Sequence, residues 1–173
     1  SIRAFRKAFK NNPDVGIVIK VNNARPKDME HLNRMLNGCR NVYFITDTLT
    51  KIEVNSLIQK ADVFVSLHRA EGFGLVMAEA MIVGTPVIAT NWSSNTEFMN
   101  SDVACMVDCN FVSLVKDSPP YKKGSVWADP NVDMAARYMR KLYREPAYYE
   151  HLREKAQKYI LEKLSMENAV SRL

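Results

Sequence analysis

Two patterns of hydrophobic positions alternate along this chain: short continuous apolar runs, and longer stretches in which apolar residues recur at helical spacing. The continuous runs have the length of strands and lie at 16–21, 41–45, 62–67, 87–89 and 103–107. None of them alternates apolar and polar positions, so we expect both faces of the sheet to be covered. Such strands are typical of a parallel sheet with helices on each side.

Helical spacing fills the stretches between these runs. It predicts helices over 1–11, 28–38, 50–60, 75–83, 131–145 and 147–164, and a short helix over 93–99. Gly84 and Pro86 are the expected stop signals of the helix over 75–83. Pro146 is expected to separate the last two helices, and the segment 108–130, with three prolines, is predicted to be irregular.

This alternation predicts an α/β fold with a Rossmann-like, doubly wound parallel sheet of five or six strands. We expect residues 1–173 to form a single domain that includes the segment 108–130 and the helices over 131–164. In such folds the ligand lies at the carboxyl ends of the strands. The loops to inspect are 46–49, 68–74, 90–95 and 108–111.

Composition and charge exclude several classes of protein. The chain has 173 residues, of which 47% are hydrophobic and 25% are charged, as in a globular domain. The longest uncharged stretch, 80–96, contains Gly84 and Pro86 and is too short to span a bilayer. The net charge of +5 suits a phosphate-bearing ligand or peripheral contact with an anionic membrane surface. A solvated surface explains this charge more simply, and no nucleic-acid partner is expected.

The cysteines and the start of the chain set further expectations. Three cysteines without a CxxC pair argue against a disulfide framework or a zinc site, so we expect no metal and a reducing, cytoplasmic compartment. No basic and apolar leader opens the chain. Because the first residues already have helical spacing, we expect the domain to be truncated at its N-terminal edge.

The loop after the third strand carries two glycines where the chain enters a helix. Gly72 and Gly74 remove side chains there, so the N–H groups of residues 72–76 can approach an anion, which the helix dipole also favours. By itself this pattern is weak, because a tight turn between a strand and a helix has the same sequence.

Glu79 adds a stronger signal. It is the only charged residue between Gly72 and Thr90, and its helix has apolar residues on every face, which predicts burial. A buried carboxylate needs hydrogen-bond donors. Those donors are either a side chain from elsewhere in the fold or two hydroxyls of a ligand such as a ribose.

Glu71 lies just before the same N–H groups. A carboxylate repels a phosphate, so this side chain would point past a bound phosphate toward the group attached to it, such as a sugar. Alternatively, Glu71 is a neighbour of the helix cap or an ion-pair partner of Arg69. His68 could reach the site, although a structural role for a histidine at a strand end fits equally well.

These residues together resemble a known family. Glu71, seven residues and then Glu79, with Gly-Phe-Gly-Leu between them, resemble the donor-site motif of glycosyltransferase family 4. The block 80–90 and Glu97 look like the next motif of that family, and 127–130 before a helix with Met139-Arg140 resembles its bacterial members.

The resemblance implies the C-terminal, donor-binding half of a two-domain GT-B glycosyltransferase. Glu79 would hold the ribose hydroxyls of a nucleoside diphosphate sugar, and the N–H groups of Gly74, Leu75 and Val76 would hold the diphosphate. The catalytic residue would be Glu71, which orients the transferred sugar together with the amides of Gly72 and Phe73. Transfer would retain the anomeric configuration, without a metal and without any cofactor besides the donor substrate.

One departure from the family limits this expectation. Family members carry an Arg and a Lys for the diphosphate just before the first helix, and Lys20 is no obvious substitute. The acceptor-binding N-terminal domain is not in the sequence either, so we expect this chain alone to be inactive in transfer. A nucleotide-sugar epimerase of the same fold and a non-catalytic nucleotide-binding module remain alternatives.

Two other nucleotide- or phosphate-linked classes fit less well. A dinucleotide-binding Rossmann domain needs a GxGxxG motif after the first strand, where this chain has Val21-Asn22-Asn23-Ala24. Asp47 ends the second strand like the phospho-acceptor of a receiver domain, but no acidic cluster follows the first strand.

Overall fold

A computed structural model describes residues 1–164 as an alternation of helices and strands. The elements are α1 (Ile2–Phe9), β1 (Ile17–Lys20), α2 (Pro26–Leu36), β2 (Val42–Ile45), α3 (Lys51–Lys60), β3 (Phe64–Ser66), α4 (Leu75–Ile82), β4 (Val87–Thr90), a 3₁₀ turn (Ser94–Glu97), β5 (Cys105–Val107), β6 (Cys109–Ser113), β7 (Val126–Pro130), α5 (Val132–Arg144) and α6 (Pro146–Lys163). None of the helices in this range is both long and apolar enough to cross a membrane.

Local sequence signals fix where several helices begin. At α3, the Thr50 side chain accepts a hydrogen bond from the Glu53 backbone N–H, and the Glu53 carboxylate accepts one from the Thr50 N–H, which forms a capping box. At α5, the Asn131 side chain accepts hydrogen bonds from the backbone N–H groups of Asp133 and Met134. Pro146 opens α6 at a position where no N–H is needed.

The first five strands are parallel, which confirms the predicted class of fold. β1 pairs with β2, and β4 lies between β3 and β5. Every residue of β4 and β5 is buried, whereas β1 and β3 are only partly buried.

The sheet is divided, and the prediction of one continuous sheet is wrong in this respect. Within residues 1–164 the five parallel strands form a pair and a triplet, with no ladder between β1 and β3. The Phe64 N–H points toward β4, so Val65 and Leu67 present their backbone groups to the opposite edge of β3. There the Ser1 hydroxyl lies 3.4 Å from both the Val65 carbonyl oxygen and the Leu67 nitrogen.

The prediction that 108–130 is irregular is also wrong. β6 and β7 form an antiparallel hairpin, in register from Cys109 opposite Pro130 to Ser113 opposite Val126. Pro119, Pro120 and Gly124 all lie in the connecting loop, while aromatic and β-branched residues occupy the strands, as strand propensity favours.

Two hydrophobic clusters cover the two faces of the triplet β3–β5. One cluster joins it to α3, α4 and α6 through Ile58, Met77, Met81, Phe98 and Ile160. The other joins it to α1 and α5 through Phe5, Phe9, Met139 and Leu142. In β4, Val87 and Ala89 face the first cluster and Ile88 faces the second, so helices cover both faces, as in a doubly wound fold.

Candidate functional site

A cleft opens where β3 ends and α4 begins. It has a volume of about 190 Å³ and is lined by Phe64, Ser66, Glu71 and the run 73–77. This is the carboxyl end of a parallel strand, where ligands bind in folds of this type. Of the two glutamates of the sequence motif, Glu71 lines this cleft, whereas Glu79 lies further along α4 and is not among the lining residues.

Gly74 sets the geometry at the start of α4. It has φ = +88°, in the left-handed region, and its carbonyl oxygen accepts hydrogen bonds from the N–H groups of Met77 and Ala78 at 2.9 and 3.1 Å. The N–H groups of Leu75 and Val76 therefore lie at the helix start without an intrahelical acceptor. The positive end of the helix dipole and these two donors point out of the same helix end.

The two glycines of the loop differ in what surrounds them. A Cβ atom built on Gly74 would lie 2.7 Å from Met77 Cε and 3.4 Å from Asn95 Cβ, whereas one built on Gly72 would meet nothing within 4 Å. Gly74 is thus required by the local fold, while Gly72 borders open space.

The prediction that α4 is buried on every face is wrong. Leu75 is 62% exposed and Val76 is 43% exposed, and Phe73 just before the helix is 42% exposed. Met77, Ala78, Ala80 and Met81 are buried. The core therefore covers only one side of the helix, and the exposed side chains of Phe73, Leu75 and Val76 line the cleft.

Glu79 has a partner from elsewhere in the fold. Its Oε1 forms an ion pair with the ammonium of Lys51, the first residue of α3, and 19% of the Glu79 side chain is exposed. Its second oxygen, Oε2, is buried and has no hydrogen-bond partner in the described part of the chain. The carboxylate is therefore only half satisfied by the fold, which is costly for a shielded acceptor.

Glu71 is exposed, and the loop holds its backbone. Its Oε1 accepts a 3.0 Å hydrogen bond from the Gly72 N–H, and its carbonyl oxygen accepts a 2.6 Å bond from the Ser93 hydroxyl. The Gly72 amide is thus occupied by the neighbouring carboxylate. The alternative in which Glu71 pairs with Arg69 is wrong, because Arg69 binds Asp129 at 2.7 Å.

Ser93 and Lys51 are residues of this region that the sequence reasoning missed. Ser93 has φ = +81° and ψ = −168°, a conformation essentially reserved for glycine. Neither residue belongs to a recognisable motif, and the contacts of both span more than twenty positions of sequence. Only the fold brings them to the two glutamates.

His68 has a structural environment. Its Nδ1 lies 3.2 Å from the Ser66 hydroxyl and its Nε2 lies 2.9 Å from the Trp92 carbonyl oxygen. Its own carbonyl oxygen accepts a bond from the Thr90 hydroxyl at 2.8 Å. Both ring nitrogens are engaged, so His68 joins the ends of β3 and β4.

The hairpin β6–β7 is attached to the motif loop through Arg69. The Arg69 carbonyl oxygen accepts a 2.9 Å bond from the Ala128 N–H, and its guanidinium lies 5.0 Å from the centroid of the Trp127 ring. On the other side, the rings of Trp92 and Phe111 pack edge to face at 4.5 Å. The hairpin thus borders the loops that follow β3 and β4.

The remaining candidates lie outside this cluster of contacts. Glu97 ends the 3₁₀ turn and is exposed. Within residues 1–164, no three His, Cys, Asp or Glu side chains lie close enough together to hold a metal ion. All three cysteines are free thiols, and burial raises the pKa of Cys105 to about 11.

Comparison with protein families gives a match over most of the chain. The family described as "Glycosyl transferases group 1" matches residues 1–159. The matched range contains every site residue named above, from Lys51 to Ser93, and both strands of the hairpin.

Solved structures of low sequence identity share the fold. The C-terminal domain of a group 1 glycosyl transferase family protein (LpcC) from Francisella tularensis superposes with a TM-score of 0.70 at 20% identity, covering 95% of this chain and 77% of that one. HepE from Anabaena, in complex with UDP-glucose, gives 0.69 at 15% identity, covering 99% of this chain and 44% of that one. Sucrose-phosphate synthase from Thermosynechococcus elongatus gives 0.71 at 18% identity, covering 99% and 40%.

One curated relative shares a shorter segment. ORF313 of Acidianus filamentous virus 1, whose own assignment as a glycosyltransferase is provisional, is 34% identical over 68 residues. That segment covers 39% of this chain and 22% of the viral protein. The chain therefore spans less than half the length of this relative, of HepE and of the synthase.

Proposed function

Because this chain belongs to the group 1 glycosyltransferases, we propose that it is the donor-binding half of a retaining enzyme of family 4. It binds a nucleoside diphosphate sugar and acts together with an acceptor-binding domain, which completes the two-domain fold. The single observation that carries this proposal is the half-satisfied carboxylate of Glu79, which lies on the same helix as two free N–H groups at the helix start.

Glu79 binds the ribose in this proposal. A ribose offers two adjacent hydroxyl donors, and a carboxylate accepts two such bonds at once. The fold gives this carboxylate one exchangeable ion pair and leaves Oε2 without a donor, so a diol ligand provides what the fold does not.

The start of α4 binds the diphosphate. Glu79 lies four residues after Leu75, which places it about 6 Å further along the helix axis. That separation suits a ribose at Glu79 and a diphosphate at the N–H groups of Gly74, Leu75 and Val76. These donors and the helix dipole would stabilise the negative charge of the leaving diphosphate, so we propose transfer without a metal.

Glu71 orients the sugar that is transferred. It precedes the α4 start in the chain, whereas Glu79 follows it, and its exposed carboxylate accepts a hydrogen bond from the adjacent Gly72 N–H. A sugar hydroxyl can replace that local bond, which also frees the Gly72 amide for the same sugar. The bond from the anomeric carbon to the diphosphate then breaks, the nucleoside diphosphate leaves with the bonding electrons and takes up the proton of the acceptor hydroxyl, and the acceptor oxygen bonds to that carbon on the same face.

The second domain supplies the acceptor, and this part of the proposal rests on the partial coverage of the relatives. HepE and the synthase each extend well beyond the region that this chain matches. Transfer therefore requires the joined domains, and we propose that the 173-residue chain alone binds the donor but does not transfer it. A cytoplasmic location stays a prediction from the unpaired cysteines.

Calorimetric titration of the Glu79→Gln variant tests the proposal. UDP is the probe, since HepE was crystallised with UDP-glucose. Losing charge-assisted bonds to the ribose should reduce UDP affinity roughly tenfold or more. Stability should change by no more than about 1 kcal/mol, because the Lys51 side chain is 63% exposed and such ion pairs contribute little.

Glu154→Gln is a matched control, because it makes the same chemical change on an exposed residue of α6 that belongs to no motif named above. It should leave UDP affinity unchanged. A large loss of stability in Glu79→Gln with intact UDP binding would mean that Glu79 has a structural role instead. Absence of UDP binding by the wild-type chain would contradict the donor-binding proposal as a whole.

A further inference from the structure

We propose that Lys51 is a mobile counter-ion of the donor site. It pairs with Glu79 before the donor binds, and it moves to the diphosphate when the ribose hydroxyls bind the Glu79 carboxylate. This inference rests on the proposed function, and it adds a residue that specifies the diphosphate.

The accessibility of the Glu79 carboxylate is the first step. Oε2 has no solvent-exposed surface while Lys51 is paired with Oε1, so the two hydroxyls of a ribose can approach this carboxylate only from the side of Oε1. That side is occupied by the ammonium of Lys51. A ribose and Lys51 therefore compete for the same approach to the carboxylate, and binding of the ribose requires Lys51 to leave.

The freedom of Lys51 to leave is the second step. Its side chain is 63% exposed, and Glu79 is its only ion-pair partner among the described residues. Its backbone, in contrast, is fixed, because the capping box of Thr50 and Glu53 holds the first turn of α3. A rigid backbone with an exposed, flexible four-carbon stem lets the charge move while the residue stays in place.

The destination of the charge is the third step. The N–H groups of Leu75 and Val76 lie about one helical turn from Glu79, a distance of about 6 Å along the axis. Rotation of the lysine side chain covers such a distance. A diphosphate at those N–H groups would be the nearest large negative charge once the hydroxyls of the ribose have taken Glu79. The arriving ligand thus displaces the cation and provides its new partner.

The experiment compares uridine with UDP as ligands of the wild-type chain and of Lys51→Met, which keeps the length of the side chain and removes its charge. Uridine should bind Lys51→Met as tightly as wild type or more tightly, because its ribose no longer competes with an ammonium. The ratio of UDP affinity to uridine affinity should fall roughly tenfold in Lys51→Met, because a charge-assisted contact to the phosphate is lost.

Two control variants separate charge from structure. Lys51→Arg keeps the charge and should retain most of the preference for UDP over uridine. Lys60→Met makes the same change at the other end of α3 and should leave both affinities unchanged. The wild-type preference for UDP should also weaken with added salt more steeply than that of Lys51→Met.

Each outcome decides between the two proposals. An unchanged ratio of UDP to uridine affinity in Lys51→Met, with UDP still bound, overturns the role of Lys51 and leaves the donor site standing. A drop in melting temperature with an unchanged ratio assigns Lys51 to a structural ion pair. Failure of the wild-type chain to bind either ligand overturns the donor site, and the inference with it.

Discussion

The hydroxyl of Ser93 donates a 2.6 Å hydrogen bond to the backbone carbonyl of Glu71, which ties the loop after β4 to the loop after β3. Ser93 makes this bond from a backbone conformation that residues other than glycine rarely adopt, with φ = +81° and ψ = −168°. Such a conformation costs about 1–3 kcal/mol and persists only where the surroundings impose it. We infer that this strained residue holds Glu71 in position.

Two substitutions of Ser93 should separate the contribution of its hydrogen bond to stability from the cost of its strained backbone. Ser93→Ala loses the bond and keeps the strained backbone, so it should lower the free energy of unfolding by about 0.5–1.5 kcal/mol. Ser93→Gly loses the same bond but relieves the strain, so it should be more stable than Ser93→Ala by about 1 kcal/mol. Urea unfolding of both variants measures this order.

The same pair of variants also reports on Glu71. Both should weaken binding of UDP-glucose more than binding of UDP, because only the sugar needs Glu71 in place. A glycine variant less stable than the alanine variant would contradict the strain. Equal losses for UDP and UDP-glucose would contradict the positioning role.

The contrast between Gly72 and Gly74 gives a direct test of where the ligand lies. A side chain at Gly72 would extend into open space, so Gly72→Val should fold with a stability within about 0.5 kcal/mol of wild type. It should nevertheless reduce UDP-glucose affinity, because the valine occupies the space beside Glu71. Gly72→Ala, with a smaller side chain, should show a smaller loss.

Gly74→Ala should behave in the opposite way. Its φ of +88° disfavours any Cβ, so the variant should lose about 1–2 kcal/mol of stability even without ligand. A loss of ligand affinity in Gly74→Ala can therefore result from the loss of stability and says little about the site. A loss of affinity in a stable Gly72 variant is informative. Unchanged UDP-glucose affinity in a stable Gly72→Val variant would place the sugar elsewhere.

Cys105 makes the stability of the chain depend on alkaline pH. Burial raises its pKa from 9.0 to about 11, so the folded state holds the thiol proton more tightly than the unfolded state. Stability should be complete below pH 9 and should fall as the pH rises toward 11, by at most about 2–3 kcal/mol from this thiol. Cys105→Ala should show a shallower decline over that window.

Urea unfolding at a series of pH values measures how steeply the free energy of unfolding declines with pH in the wild-type chain and in Cys105→Ala. Burial also raises the pKa values of Cys109, Tyr138, Tyr148 and Tyr149, and these groups contribute to the decline that remains in the variant. Cys39→Ala is the control, because it removes a thiol that lies outside β5. It should keep the wild-type dependence of stability on pH. An identical slope in Cys105→Ala would contradict the shift.

Features coded by consecutive residues could be predicted from the sequence. The helices α1, α3, α5 and α6 follow from apolar spacing with local stop and start signals, and the parallel strands follow from runs without alternation. The glycines before α4 likewise indicated a helix start with free N–H groups, because that property depends on a few adjacent residues.

Features that depend on distant neighbours were missed or wrong. The hairpin β6–β7 was hidden because its prolines and glycine suggested a loop, although Pro119, Pro120 and Gly124 lie between the strands and Pro130 is the last residue of β7. The first turn of α4 was expected to be buried because composition does not reveal which side of an apolar helix the rest of the chain covers. Lys51 and Ser93 could not be found because their partners are remote in sequence.

The division between β1 and β3 has a consequence for how this chain behaves at high concentration. β1 and β3 each use one edge for a ladder; the Ser1 hydroxyl contacts Val65 and Leu67 on the other edge of β3, whereas the other edge of β1 carries no ladder among the described residues. Free N–H and C=O groups along a strand are a template for an extended segment of another molecule. Self-association of this chain would thus start from backbone groups, which substitutions of surface charges would slow but not remove.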